Sequence, residues 1–301
     1  MKPHQTTLDR AVSCQGIGLH SGAPATLTLR AALPDTGIVF MRTDVDPRVA
    51  AVEAVAANVV DTTLSTTLAN AAGTRVATVE HVLATLNGLG VDNAIVEIDG
   101  PEVPIMDGSA EPFVALVNRA GIKSQVPRRR PIEVRRPIEV RRGDKWARIE
   151  PAPVFAIDVT IDFAARAVAR QRYELALGPE RFAREIARAR TFGFADEVEC
   201  LRANGLARGG SLDNAVVVAG DRILNEGGLR YADEFVRHKV LDCLGDFYLA
   251  GAPILGRVTA FCTGHKLNHD LIATMLADRT AWHRAARIDA QAHDRPLVSA
   301  G

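Results

Sequence analysis

Between positions 233 and 247, Phe235, Val236, Val240, Cys243, Leu244 and Phe247 recur at three- and four-residue spacings. That pattern predicts a helix of about three to four turns with one apolar stripe. Asp233 and Glu234 open it, where acidic groups favour the helix dipole. A second stripe is polar: His238, Asp242 and Asp246 fall at i, i+4 and i+8, each displaced about 40° from the last. An imidazole and a carboxylate one turn apart make an ordinary pair on a solvated face, or they grip a metal from one side. Apolar residues fill much of the remaining circumference, so at least half-burial is expected, and buried polar groups need partners.

A second helical pattern spans residues 78–88, with Val82, Leu83 and Leu86 on its apolar face. Thr78 is the expected N-cap, and Gly88 or Gly90 the expected end. Glu80 and His81 then fall in the first turn. They are either favourable charge at a helix start or a base beside a ligand. A short helix is expected over Glu111–Ala120.

Alternating positions predict strands at residues 25–30, 37–42 and 93–98, and later at 146–150, 155–163, 214–219 and 258–262. The Gly-rich stretch 15–22 reads as a hairpin turn, because neither G-x-x-x-x-G-K-[ST] nor G-x-G-x-x-G occurs there. The hydroxyl-rich run Asp61–Leu68 suits a strand edge. In the second half, residues 181–190 predict a basic helix and 197–203 a short one. A last helix is expected from Leu267 to about Ala286, followed by about a dozen polar residues that fray.

Pro-Ile-Glu-Val-Arg-Arg occurs at 131–136 and again at 137–142. This reads as an interdomain connection running into a strand, with Pro137 keeping part of it at an edge. Both halves contain strands followed by a histidine-bearing helix. The expected class is α+β: two similar β/α sandwich domains, 1–126 and 127–301, from a duplication, with the site where the copies meet.

Composition narrows the function. Of 301 residues, 47% are hydrophobic, and 36 Lys+Arg balance 36 Asp+Glu. Zero net charge, with glutamates and no aromatics in the basic stretch 128–142, argues against a nucleic-acid partner. The four cysteines are scattered with no C-x-x-C, which fits a reducing compartment. No apolar run approaches the 18 or so residues of a membrane span, and the N-terminus lacks a signal-peptide run. A soluble, cytoplasmic chain is expected, monomeric and at most in transient contact with a membrane surface.

Several segments resemble a known family, the UDP-3-O-acyl-N-acetylglucosamine deacetylases, zinc amidases of lipid A biosynthesis. They are Gly16-Ile-Gly-Leu-His20-Ser-Gly22, Thr78-Val-Glu80-His81, Pro104-Ile-Met-Asp-Gly-Ser109, Arg188-Ala-Arg-Thr191-Phe-Gly-Phe194, Asn225-Glu226-x-Gly-Leu229, Asp233-Glu-Phe-Val-Arg-His238-Lys239 and Thr263-Gly-His265. They run in the family's order from about residue 5 to 285. The Pro-Ile-Glu-Val-Arg-Arg repeat is not part of the family pattern. Members often carry a cysteine near the metal, in the segment where this chain has Thr62 and Thr63.

The resemblance implies that His81, His238 and Asp242 bind one zinc ion; iron can occupy similar ligand sets. It makes Glu80 the general base and His265 the second acid–base group, supported by Thr191, Lys239 and Asp246. The implied substrate is a UDP-linked acylated glucosamine. The resemblance also implies an acyl passage in an insertion at 193–223, with Phe192, Phe194, Val198, Leu201, Gly210 and Val217 near the substrate and Lys239 contributing. Core packing explains the apolar ones equally well when taken singly. Two other readings remain open: a different zinc amidase, although His-Glu-x-x-His is absent, and a nucleotide- or lipid-binding module with a structural metal.

Overall fold

The computed structural model describes residues 2–285; the last dozen residues, expected to fray, lie outside them. The architecture is α+β, with several sheets and six α-helical segments among the described residues. These are α1 (Glu80–Leu89), α2 (Glu111–Ala120), α3 (Pro179–Arg181), α4 (Val198–Ala203), α5 (Glu234–Tyr248) and α6 (His265–Ala277).

The first large sheet has the order Val12–Ile17, Pro24–Ala31, Ala94–Ile98, Ile38–Arg42, Ala51–Glu53. Its neighbours are antiparallel, except that Ala94–Ile98 and Ile38–Arg42 are parallel. In the second, the corresponding run is Ile138–Arg142, Lys145–Glu150, Ile254–Phe261, Phe155–Asp162, Arg170–Ala176. There too only the pair formed by Ile254–Phe261 and Phe155–Asp162 is parallel. In both five-strand runs the last strand in sequence slots between two hairpins. A parallel neighbour requires a crossover, and a helix lies on each: α1 in the first half, α5 in the second. Each crossover also carries a small three-stranded sheet, within residues 59–76 in the first half and 192–223 in the second.

The two copies of the hexapeptide repeat take different places. Ile132–Val134 is sandwiched between Ile254–Phe261 and Trp282–Arg284, with Ile132 and Val134 buried. Ile138–Arg142 pairs only with Lys145–Glu150, at the edge expected from Pro137. The connection is also tied back to the N-terminus, since His4–Leu8 pairs with Ile122–Arg128.

Helices α1 and α5 cross face to face. Asn87 Nδ2 donates to the Leu244 carbonyl at 2.8 Å. A β-carbon at Gly245 would lie 2.1 Å from the Glu80 carbonyl oxygen, so only glycine allows this approach. The contact brings the start of α1 against the middle of α5.

Four local expectations differ from the structure. Thr78 does not cap α1: it has φ +57° and its hydroxyl donates to Glu102 Oε1 at 3.0 Å, leaving Val79 as N-cap. The Asp61–Leu68 run is not one strand. Pairing stops at Asp61 and resumes at Thr67, and Leu64 takes φ +62° in the loop between. The basic helix is only α3 plus a π-wound turn, Phe182–Ile186, whose Phe182 ring packs over Gly88. Finally, α6 stops at Ala277. Asp278 Oδ1 accepts from the Thr280 amide, a turn that redirects the chain into the strand Trp282–Arg284.

Candidate active site

The first turn of α1 presents His81, and α5 presents His238 and Asp242 one turn apart. Asp242 Oδ1 lies 3.3 Å from His238 Nε2 and 3.8 Å from His81 Nε2. All three donor atoms fall within 4.8 Å of one another, and all three residues are buried. The imidazole rings meet edge-on, 5.0 Å between centroids. A carbonyl only accepts, so the 3.0 Å contact of His238 Nδ1 with the Ala189 oxygen places hydrogen on Nδ1. That leaves the Nε2 lone pair facing the cluster.

Burial, reinforced by His238, pushes His81 down to about 3. Burial also lowers His238. For Asp242, burial alone would raise the carboxyl, but Lys239 and then His238 hold it well below the ordinary range. Lys239 Nζ donates to Asp242 Oδ2 at 3.0 Å. Two neutral imidazoles and one ionised carboxylate are a fitting donor set for a dication, which displaces no proton here.

Beside this cluster stands a second one. Glu80 is buried, and its Oε2 accepts from the Thr66 amide at 3.0 Å. Desolvation pushes its carboxyl up to about 7 against the pull of His265. His265, the first residue of α6, is raised to about 10: burial opposes its charge, but Asp246 and Glu80 prevail. Its Nδ1 is 2.9 Å from Asp246 Oδ2, and its Nε2 is 3.9 Å from Glu80 Oε1. Asp246 also accepts from Thr66 Oγ1 at 2.6 Å and from Asn268 Nδ2 at 2.8 Å.

Both clusters open on one cavity of about 850 Å³. Glu80, His81, His238, Lys239, Asp242, His265 and Thr191 lie on its wall, and so do Phe192, Phe194, Val198, Leu201, Gly210 and Val217. The structure thus gathers the sequence-derived candidates around one space. Asp246 is the exception, standing behind His265 on α5. Val217 is resolved from its neighbours: Val216 and Val218 are fully buried, while Val217 faces the cavity. Phe163, Phe192 and Phe194 pack edge-on or tilted, with centroids 5.7–6.3 Å apart. Two other cavities, both beside Arg129 and Tyr248, hold none of the candidate residues.

Two motifs of the first half seat the insertion of the second. The Gly-rich turn supplies the Leu19 and His20 carbonyls, which accept from the Gly209 and Arg208 amides at 3.0 and 3.2 Å. Gly108, from the Pro104–Ser109 loop, accepts from the Thr191 amide at 2.8 Å, and Asp107 pairs with Arg230 at 2.8 Å. Sequence spacing did not single out Thr66 or Asn268. Thr66 is one hydroxyl in a run of five among residues 62–67, with no period to distinguish it.

The sequence profile of the UDP-3-O-acyl N-acetylglycosamine deacetylases matches residues 5–277. The chain belongs to that deacetylase family. The UDP-3-O-acyl-N-acetylglucosamine deacetylase of Myxococcus xanthus (strain DK1622) is 52% identical over 279 residues, covering 93% of this chain and 88% of that protein. The deacetylase so named from Anaeromyxobacter sp. (strain Fw109-5) is 52% identical over 291 residues, 96% of this chain and 93% of its own. One from Shewanella sp. (strain W3-18-1) is 49% identical over 280 residues, 92% of this chain and 91% of its own. The span matched by the deacetylase family ends with α6 and contains the whole lining of the cavity. No helix among the described residues is long and apolar enough to cross a membrane.

Proposed function

We propose that the protein is a cytoplasmic, zinc-dependent deacetylase. Its reaction is hydrolysis of the N-acetyl group of UDP-3-O-(3-hydroxyacyl)-N-acetylglucosamine, releasing acetate, an early committed step of lipid A biosynthesis. The observation that carries this reading is the arrangement of three metal-type donors and a carboxylate–imidazole pair at one wall of a largely apolar cavity. It occurs in a chain of this family.

His81, His238 and Asp242 would hold the ion; iron fits the same donors. Zinc bound there supplies Lewis-acid polarisation of a carbonyl and makes water more acidic. Glu80 takes the proton of the attacking water as its oxygen bonds to the acetamide carbon. The Thr191 hydroxyl donates to the oxygen that gains charge. As the carbon–nitrogen bond breaks, His265 Nε2 delivers a proton to the leaving amine, and acetate departs. Asp246 holds the imidazolium before that step. Lys239 balances Asp242 and lies 5.5 Å from the Phe192 ring centroid, at the junction of the polar and apolar walls. The wall from Phe192 to Val217 then takes the acyl chain, where each buried methylene contributes about 0.8 kcal/mol.

Three donors facing open cavity support catalysis over a structural metal, which four Cys or His ligands usually close. Apolar lining supports an acylated substrate over a general amide. The shared strand order of the two sheets supports a duplication, with units 1–126 and 127–301 and the site between α1 and α5. A monomer is expected to suffice, since all these groups come from one chain. The zinc-loaded protein should release acetate from the acylated UDP-sugar, lose this with a chelator and regain it with added zinc. Absence of acetate release from the loaded wild type would overturn the reading.

A further inference from the structure

We infer that Thr66 is a positioning residue that locks Glu80 and His265 into one arrangement and fixes His265 Nε2 as the nitrogen that exchanges its proton. The inference rests on the deacetylase reading above and extends it to a residue outside the catalytic set.

Thr66 uses every polar atom it has, and is itself buried. Its carbonyl accepts from the amide of Val79, the N-cap of α1, at 3.3 Å. Its own amide donates to Glu80 Oε2 at 3.0 Å, which aims the other carboxylate oxygen at His265. Its hydroxyl donates to Asp246 Oδ1 at 2.6 Å and lies 3.3 Å from His265 Nδ1. One side chain thus bridges the loop before α1 to α5 and α6. Leu64, two residues earlier, adopts φ +62°, a costly conformation for a leucine, and the loop keeps it.

A hydroxyl has one hydrogen, and here Asp246 receives it. Thr66 Oγ1 can therefore only accept from His265 Nδ1. Asp246 Oδ2, which receives the Asn268 amide at 2.8 Å, also only accepts. Both neighbours of Nδ1 thus demand that it keep its hydrogen. The proton that comes and goes is then on Nε2, the atom facing Glu80. Without the Thr66 hydroxyl, Asp246 loses one of its two orienting donors, and the ring is free to swing.

Thr66→Val keeps the backbone amide and the shape but removes the hydroxyl. It should lower kcat about 10–100-fold, a part of the 10²–10⁴-fold that a well-placed acid–base group contributes. KM and bound metal should change little, and Thr66→Ser should restore most of the rate. In metal-free protein, the slowly exchanging His265 Nδ1–H proton should be visible by NMR in wild type and Thr66→Ser. It should be lost to exchange in Thr66→Val, with His265→Ala supplying the assignment. Undiminished kcat in Thr66→Val, a Thr66→Ser rate as low as that of Thr66→Val, or an unchanged Nδ1–H signal in Thr66→Val would each overturn the inference. Should the wild type release no acetate, the deacetylase reading falls, and the NMR comparison alone decides the role of Thr66.

Discussion

Burial acts alike on Glu80 and His265, disfavouring the charged form of each, yet it leaves them with opposite habits. For Glu80 nothing outweighs desolvation, and the carboxyl rises to about 7. For His265 the carboxylates of Asp246, Glu80 and Asp242 together outweigh it, and the imidazole rises to about 10. Between those values Glu80 is a carboxylate and His265 an imidazolium, the pairing that water activation followed by amine protonation requires. Activity should therefore rise with pH as Glu80 loses its proton and fall as His265 loses its own. A cation in the site would favour the unprotonated form of both groups, so both limbs should move to lower pH when it binds. The limbs report the coupled site rather than single residues. In His265→Ala the alkaline limb should weaken or vanish; an unchanged profile would assign that limb elsewhere. Glu80→Ala makes a separate test. It should retain metal and substrate binding while turnover drops about 10²–10⁴-fold, and near-normal turnover would remove Glu80 from the proposed role.

At the scale of elements, legibility followed periodicity. The stripe of α5 was readable because His238, Asp242 and Asp246 share the 3.6-residue repeat of the helix that carries them. His81 was readable as a first-turn residue even though the expected cap was wrong, since Val79 and Thr78 differ by a single position. Strand Arg170–Ala176 was not foreseen. Its burial alternates, but the inward positions are Gln171, Tyr173 and Leu175, of which only Leu175 is fully buried, so the alternation carries little apolar contrast in the sequence. The end of α6 was missed because the Asp278 turn competes with a helix that composition alone would let continue. Nothing local announces the crossing of α1 and α5, which depends on Gly245. A β-carbon there would meet the Glu80 carbonyl oxygen at 2.1 Å, and backbone cannot rotate away as a side chain can. Gly245→Ala should part the helices, costing about 1–3 kcal/mol and weakening zinc affinity, because His81 rides on one helix and His238 and Asp242 on the other. Thermal unfolding and zinc titration measure both effects. A variant with unchanged Tm and unchanged zinc affinity would show that the helices have slack at this crossing.

Across the whole molecule, the two sheets share an order and the crossovers share a design, yet the additions on those crossovers differ in use. The first crossover's small sheet carries Thr66 in the loop between its first two strands, against the start of α1. The second's, residues 192–223, forms one wall of the cavity and is pinned to the first half through Leu19, His20 and Gly108. Sequence alone could not separate lining from core within that wall, because a Val-Val-Val run looks the same either way. The strand settles the geometry: Val216 and Val218 point inward with no exposure to speak of, and Val217 points into the cavity. A charge at Val217 therefore meets the cavity rather than the core, and Val217→Asp should fold. If the acyl chain lies along this wall, a ten-carbon chain gains several kcal/mol there, at about 0.8 kcal/mol per methylene less its ordering cost. An aspartate on the path would strip much of that gain. Val217→Asp should then raise Kd for the acylated substrate far more than for a UDP-glucosamine lacking the acyl chain. Calorimetric titration of both ligands into the folded variant measures the difference. An equal loss for the two would assign Val217 to general stability of the site, and an unchanged preference for the acylated ligand would place the chain elsewhere.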